Sequence, residues 1–227
     1  MEPAEGKFLL IDKPLHWTSF DVVNKLRHIL KIKKIGHAGT LDPLASGLLI
    51  ICTGKMTKQI DRFQGMEKEY TGSFRLGQTT PSYDLETTPT EPQNISGITK
   101  DQILEAARHF KGIIQQTPPA HSSIKVDGKR AYELARKGRE VILQAREVDI
   151  KEFEITGIEL PEISFRVVCS KGTYIRSLAH DFGQHLLVGA YLSKLCRTRI
   201  GEFKLTDAQT LEDIKKSTAD TPASHSD

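Results

Sequence analysis

The sequence predicts an α+β fold: a mixed, mainly antiparallel sheet flanked by helices. Two observations carry this. Helical stripes and β runs interleave without the regular strand–helix–strand rhythm of a parallel α/β protein. The 227 residues, 38 % hydrophobic and 27 % charged, suit one core-building domain with room for a small insertion.

The elements follow in order. "KFLLIDKP" reads as a buried strand ended by a proline turn. "TSFDVVNKLRHILK" places Val22, Val23, Leu26, Ile29 and Leu30 on one helical stripe, capped by Thr18 or Ser19. A glycine-punctuated loop leads to the strand "GLLIICTG" and a short helix "KMTKQIDRFQ". "KEYTGSFRLG" alternates as a strand does, and "TTPSYDLETTPTEPQNISG" is polar and turn-rich, a surface loop. "TKDQILEAARHFKG" opens with the capping-box pair Thr99 and Gln102 and stops at Gly112. An extended proline segment, an Asp-Gly turn and a short basic helix follow in "QQTPPAHSSIKVDGKRAYELARKG". Two or three β runs fill residues 141–170, then come a helix "GTYIRSLAHDFGQHLL", a strand "LCRTRIGEFKL" and a last helix "TLEDIKKS". Residues 218–227 carry no apolar stripe and are expected to form a disordered tail after a domain of residues 1–217.

Several classes are excluded or disfavoured. No apolar run approaches the roughly 20 residues a membrane span needs, and the acidic start does not resemble a signal peptide. A cytoplasmic protein is expected. Cys52, Cys169 and Cys196 are scattered, with no CxxC or Cys/His cluster, so they read as buried small hydrophobes rather than disulfide or zinc ligands. Gly54-Lys55-Met56 lacks the hydroxyl and upstream glycine of a phosphate loop, and Ser46 is not in a GxSxG elbow.

The net charge of +3 is modest, but its distribution is not even. Between Val22 and Leu41 stand five basic residues and no acid; from His121 to Arg146 seven bases face three acids. Acids gather instead in "EVDIKEFEITGIELPE". A basic face opposite an acidic one suits phosphate-backbone binding.

The loop "KIGHAGTLDPLASGLLII" sets one carboxylate, Asp42, among small residues at the mouth of a buried strand. Asp-Pro commonly opens turns, so Asp42 is either a turn device or a working group. His37 taken alone reads as structural or surface, Tyr70 as half-buried core, and Arg176 as a solvated cation.

"KFLLIDKPLHWTSFDVVNKLR", "IGHAGTLDPLASGLLIICTGKMTK", "KEYTGSFRLGQTT", "PPAHSSIKVDGKRAYELARKG" and "SKGTYIRSLAHDFG" together resemble, in order, the motifs of TruB-type tRNA pseudouridine-55 synthases. The likeness runs from about residue 7 to residue 204. It implies a pseudouridine-synthase-like sheet with a basic RNA-clamping insertion at about residues 112–146, and isomerisation of a T-loop uridine without metal, nucleotide or redox cofactor. It implies Asp42 as the catalytic carboxylate, His37 filling the space of the flipped nucleotide, Tyr70 stacking on the uracil, Tyr174 and Leu195 lining the pocket, and Arg176 pairing with Asp42. Lys31, Lys33, Lys34, Lys125, Lys129, Arg130 and Arg136 become backbone contacts to the T-arm. The expected partner is tRNA alone, bound by a monomer with no membrane and no protein partner required.

The chain also departs from the pattern. No C-terminal RNA-binding extension like that of longer relatives is expected, His121 stands where an aromatic residue is commoner, and "TTPSYDLE" has fewer acids. The alternatives are a guide-dependent pseudouridine synthase and a non-catalytic RNA-binding or tRNA-folding module of the same fold.

Overall fold

The computed structural model describes residues 6–126 and 128–219. In chain order these form β1 (Phe8–Lys13), α1 (Ser19–Leu30), β2 (Ile35–His37), β3 (Ala45–Thr53), a 3-10 turn (Gly54–Gln59), α2 (Ile60–Gly65) and β4 (Lys68–Leu76). After a long irregular stretch come α3 (Lys100–His109), β5 (Gly112–Gln116), β6 (Lys125–Val126), β7 (Lys129–Arg130) and α4 (Ala131–Ala135). β8 (Arg146–Glu159), β9 (Glu162–Cys169), α5 (Ile175–His185), β10 (Ala190–Ile200), β11 (Phe203–Lys204) and α6 (Leu211–Ala219) complete it. The chain forms two compact units: described residues up to Glu69 with those from Cys196, and Tyr70–Leu195.

In the first unit the strands run β1, β3, β10, with β2 on β3 and β11 on β10. β1 and β3 are antiparallel, Phe8 facing Cys52 and Lys13 facing Gly47. β3 is apolar without alternation because both its faces are covered. Leu49 and Ile51 pack with Ile11 against Val22, Val23 and Leu26 of α1 and Ile214 of α6. Leu48, Ile50 and Cys52 pack with Ala38, Phe63 and Ile200 on the other face. Gly47 is required at its position: φ is +103°, and a Cβ would lie 2.4 Å from the Arg197 carbonyl oxygen.

α1 starts where its sequence says it should. The Thr18 hydroxyl accepts from the Asp21 amide at 3.0 Å, and the Asp21 carboxylate accepts from the Thr18 amide at 2.8 Å. Of the two expected caps it is therefore Thr18 that caps, and Ser19 turns inward.

In the second unit the order is β10, β4, β9, β8, β5. β8 and β9 form a long antiparallel hairpin, and β5 closes the edge on β8. Phe74, Phe153, Phe165 and Phe182 make one ring cluster, with α5 contributing Phe182. β6 and β7 form a separate small hairpin leading into α4.

Several expectations need correction. Residues 112–116 of the expected insertion form β5. The polar stretch around "TTPSYDLE" is not wholly surface: Thr80, Ser82 and Asp84 are buried, because the Thr80 and Ser82 hydroxyls both donate to the Asp84 carbonyl. Cys196 is only partly buried, unlike Cys52 and Cys169. Thr218 and Ala219 belong to α6 rather than to a tail; the rest of the expected tail, 220–227, lies outside the described residues, as does Asp127 of the Asp-Gly turn. No described helix is long and apolar enough to cross a membrane.

Candidate active site

Asp42 sits between β2 and β3 on a loop whose backbone is tied at almost every residue. Ala38 donates its amide to the Ile50 carbonyl at 2.8 Å. The Arg197 guanidinium donates to the carbonyls of Leu48 at 2.8 Å, Thr40 at 3.3 Å and Gly39 at 3.4 Å. Leu41 exchanges two hydrogen bonds with the Ser19 hydroxyl. The Asp42 carbonyl accepts from Ala45 at 3.0 Å, a turn with Pro43 at its second position, where its fixed φ fits. The His16 amide donates to the Pro43 carbonyl at 2.7 Å. The turn role expected of Asp42 is thus realised in its backbone, and the residue itself is half-buried.

Around this loop the first unit gathers charges that nearby sequence does not announce. Lys13, at 0 % exposure, donates to the carbonyls of Pro14 at 2.9 Å and Trp17 at 2.6 Å. Burial pulls its ammonium down from 10.5 to about 8; the negative charge of Asp42 works in the opposite direction, and Arg197 adds to the lowering. Arg197, 1 % exposed, spends its donors on backbone carbonyls, as a buried guanidinium must. His37 ends β2 opposite Ile51. Burial lowers its pKa, the Gly39 backbone opposing and Arg197 assisting; no described residue hydrogen-bonds its buried Nδ1.

A second group of expected site residues lies in the other unit. Arg176, the second residue of α5, is 4 % exposed rather than solvated. It donates to the carbonyls of His121 at 3.0 Å and Ser82 at 3.3 Å, and its Nε lies 3.7 Å from an Asp84 carboxylate oxygen. Tyr174 caps α5, its amide donating to the Gln116 side-chain oxygen at 2.8 Å and its carbonyl accepting from the same amide group at 3.1 Å. The Arg146 guanidinium lies over its ring, 4.9 Å from the centroid. Tyr70 on β4 and Leu195 on β10 are both buried, at 8 % and 9 %.

Nearby, Tyr83 at φ +64° stacks on His180 with centroids 4.0 Å apart. Burial raises the Asp181 carboxyl to about 6.

The basic residues fall as surface groups. Lys31 is the left-handed C-cap of α1, and Lys33 and Lys34 follow it, all exposed. Lys125, Lys129 and Arg130 are exposed on the β6–β7 hairpin. Arg136 is exposed as well, and is held by the Glu86 carboxylate at 2.5 and 3.0 Å. His121 Nδ1 lies 3.6 Å from the same carboxylate.

Sequence reasoning missed Lys13, Ser19, Arg197, Gln116 and Asp84. A lysine ending an apolar strand just before proline was the one local sign; the others are polar residues whose burial depends on distant chain.

A half-buried aspartate on a loop tied by α1, β3 and β10 is matched by likeness across most of the chain. The description "TruB family pseudouridylate synthase (N terminal domain)" matches residues 27–175, and "tRNA pseudouridylate synthase B C-terminal domain" matches residues 176–225. The tRNA pseudouridine synthase B of Flavobacterium johnsoniae is 55 % identical over 91 % of this chain and 93 % of its own length. That of Phocaeicola vulgatus is 55 % identical over 93 % of both. The Cbf5 chain of an archaeal box H/ACA sRNP Nop10–Cbf5 complex superposes with TM-score 0.70 at 28 % identity, covering 95 % of this chain but 54 % of that one. This chain therefore spans about half the length of that structural neighbour. With two thirds of its length under one family description and relatives at this identity, the chain belongs to the TruB family of pseudouridylate synthases.

Proposed function

We propose that this protein converts uridine 55 in the T-loop of tRNA to pseudouridine. The observation that carries the reading is the 55 % identity, over almost the full length of both chains, with relatives named tRNA pseudouridine synthase B. The tied loop bearing Asp42 supports it.

The reaction is an isomerisation. The N1–C1′ bond of the nucleotide breaks, the uracil turns, C5 joins C1′, the C5 proton leaves and N1 gains one. No water is activated and no group departs, so one carboxylate suffices. Asp42 either attacks C1′ or takes a ribose proton to give a glycal. The sugar is out of reach while the base stays in the stack, so the nucleotide must flip. In this reading His37 fills the vacated space, Tyr70 stacks on the uracil, Tyr174 and Leu195 line the pocket, and Arg176 orients Asp42 by a charge-assisted contact. Exposed Lys31, Lys33, Lys34, Lys125, Lys129, Arg130 and Arg136 meet phosphates, while shape and flipped bases set specificity. The protein acts in the cytoplasm, as a monomer.

The likeness to Cbf5 chains favours one second reading, a guide-dependent synthase. One experiment separates them. An unmodified tRNA transcript and an isolated T-arm stem-loop are incubated with purified protein and no guide RNA, and pseudouridine is mapped with a specific chemical label. Modification of both at the T-loop uridine is expected, and none with Asp42→Asn, whose RNA affinity should change by less than about tenfold. Loss of at least about 10⁴ in rate is expected of that variant. No product without a guide would overturn the unguided reading. An Asp42→Asn protein within about tenfold of the parent would reduce Asp42 to a turn residue.

A further inference from the structure

We propose that Ser19 is a positioning residue for Asp42, acting through Leu41. The inference rests on Asp42 being the catalytic carboxylate. The Ser19 hydroxyl accepts from the Leu41 amide at 2.9 Å and donates to the Leu41 carbonyl at 3.1 Å. One side chain thus satisfies both backbone groups of the residue immediately before the aspartate. A neighbouring strand would make the same two bonds, but no described strand reaches Leu41: β2 has ended at His37 and β3 does not begin until Ala45.

The clamp is dry and its base is rigid. Ser19 is 2 % exposed and Leu41 4 %, so the buried Leu41 amide and carbonyl depend on this hydroxyl. Ser19 is the first residue of α1, and the adjacent Val22, Val23 and Leu26 are locked into the core. The hydroxyl is not needed to start the helix, because Thr18 already provides the capping box. Its use is to hold the Leu41 backbone, and through it the direction in which the Asp42 Cα–Cβ bond leaves the chain. The Asp42 carbonyl is fixed on the other side by Ala45. Reacting groups misplaced by about 1 Å lose on the order of 100-fold in rate, so a loosened Leu41 should appear in the chemical step and not in RNA binding.

The test compares parent, Ser19→Ala, Val23→Ala and Asp42→Asn on the T-arm stem-loop. Single-turnover pseudouridine formation at saturating protein is read beside the Kd from anisotropy, at one salt concentration and a temperature where every variant is folded. Val23→Ala destabilises the same helix from its core side without touching the loop, and its rate should stay within about twofold of the parent. Ser19→Ala is expected to lose at least about tenfold in single-turnover rate, equivalent to about 1.4 kcal/mol, with Kd within about threefold. Should Ser19→Ala not fold, Ser19→Cys, with a weaker donor, takes its place and is expected to be slowed likewise. A Ser19 variant within about threefold of the parent, or slowed no more than Val23→Ala, overturns the inference. If Asp42→Asn is inactive in that same comparison, only the role of Ser19 falls. If Asp42→Asn is active, the catalytic reading itself has failed.

Discussion

Arg197 donates through Nε to the Leu48 carbonyl at 2.8 Å, joining residues 149 apart in sequence inside the core of the first unit. The same guanidinium reaches the carbonyls of Thr40 and Gly39. Three acceptors around one planar cation explain why the position is arginine: a lysine head cannot span them. Arg197→Lys should therefore cost about 1–3 kcal/mol in urea unfolding and slow pseudouridine formation, with RNA affinity little changed. Unaltered stability would show that the guanidinium contacts contribute nothing net.

Lys13 gives a pH test with a defined sign. Its folded-state pKa of about 8 lies below the ordinary 10.5, so between these values the native state has released a proton that the unfolded chain still holds. Stability from this group rises across that window. The unfolding free energy of the parent minus that of Lys13→Met should grow between pH 8 and 10, by at most about 3 kcal/mol. Because other titrating groups are common to both proteins, they largely cancel in the difference. A flat difference would mean that the buried ammonium titrates normally.

Asp181 acts at the other end of the scale. Burial raises its carboxyl from 3.8 to about 6, so stability from this group is present below 3.8 and lost as pH rises through 6. Asp181→Asn should stabilise the protein at pH 7 by about 1–2 kcal/mol, allowing for partial exposure, and should give no gain at pH 3.5. Equal effects at the two pH values in chemical unfolding would argue for lost packing or hydrogen bonding instead.

Arg136 separates surface stability from RNA binding. Its side chain is 59 % exposed although it pairs with Glu86. Arg136→Ala should change stability by less than about 1 kcal/mol. If the arginine meets a phosphate when RNA binds, the slope of log affinity against log salt should shrink by roughly 0.7–0.9. An unchanged slope in anisotropy titrations would remove Arg136 from the interface.

Much of the scaffold was legible because its causes are local. The stripe of Val22, Val23 and Leu26, a cap at Thr18, the capping box at Thr99 and the unbroken apolar run of β3 all appear where the pattern puts them. β5 is not legible, since "GIIQQ" is a short edge strand whose Ile113 is 69 % exposed and shows no clear apolar face. The polar Ser82–Asp84 turn looks like surface in sequence, yet it can be buried because its acceptors are satisfied by its own hydroxyls and by Arg176, 94 residues from Ser82.

The α+β class, the order of the motifs and the loop carrying Asp42 can be read from the residues, since each depends on short-range periodicity, turn chemistry or an ordered run of residue types. Tertiary structure alone decided that Thr18 caps α1 while Ser19 clamps Leu41, that Lys13 is buried beside the loop, and that Arg197 binds its carbonyls. The physical reason is desolvation. A polar side chain can be buried only where partners from elsewhere in the chain meet it, and no local pattern records where those partners will be.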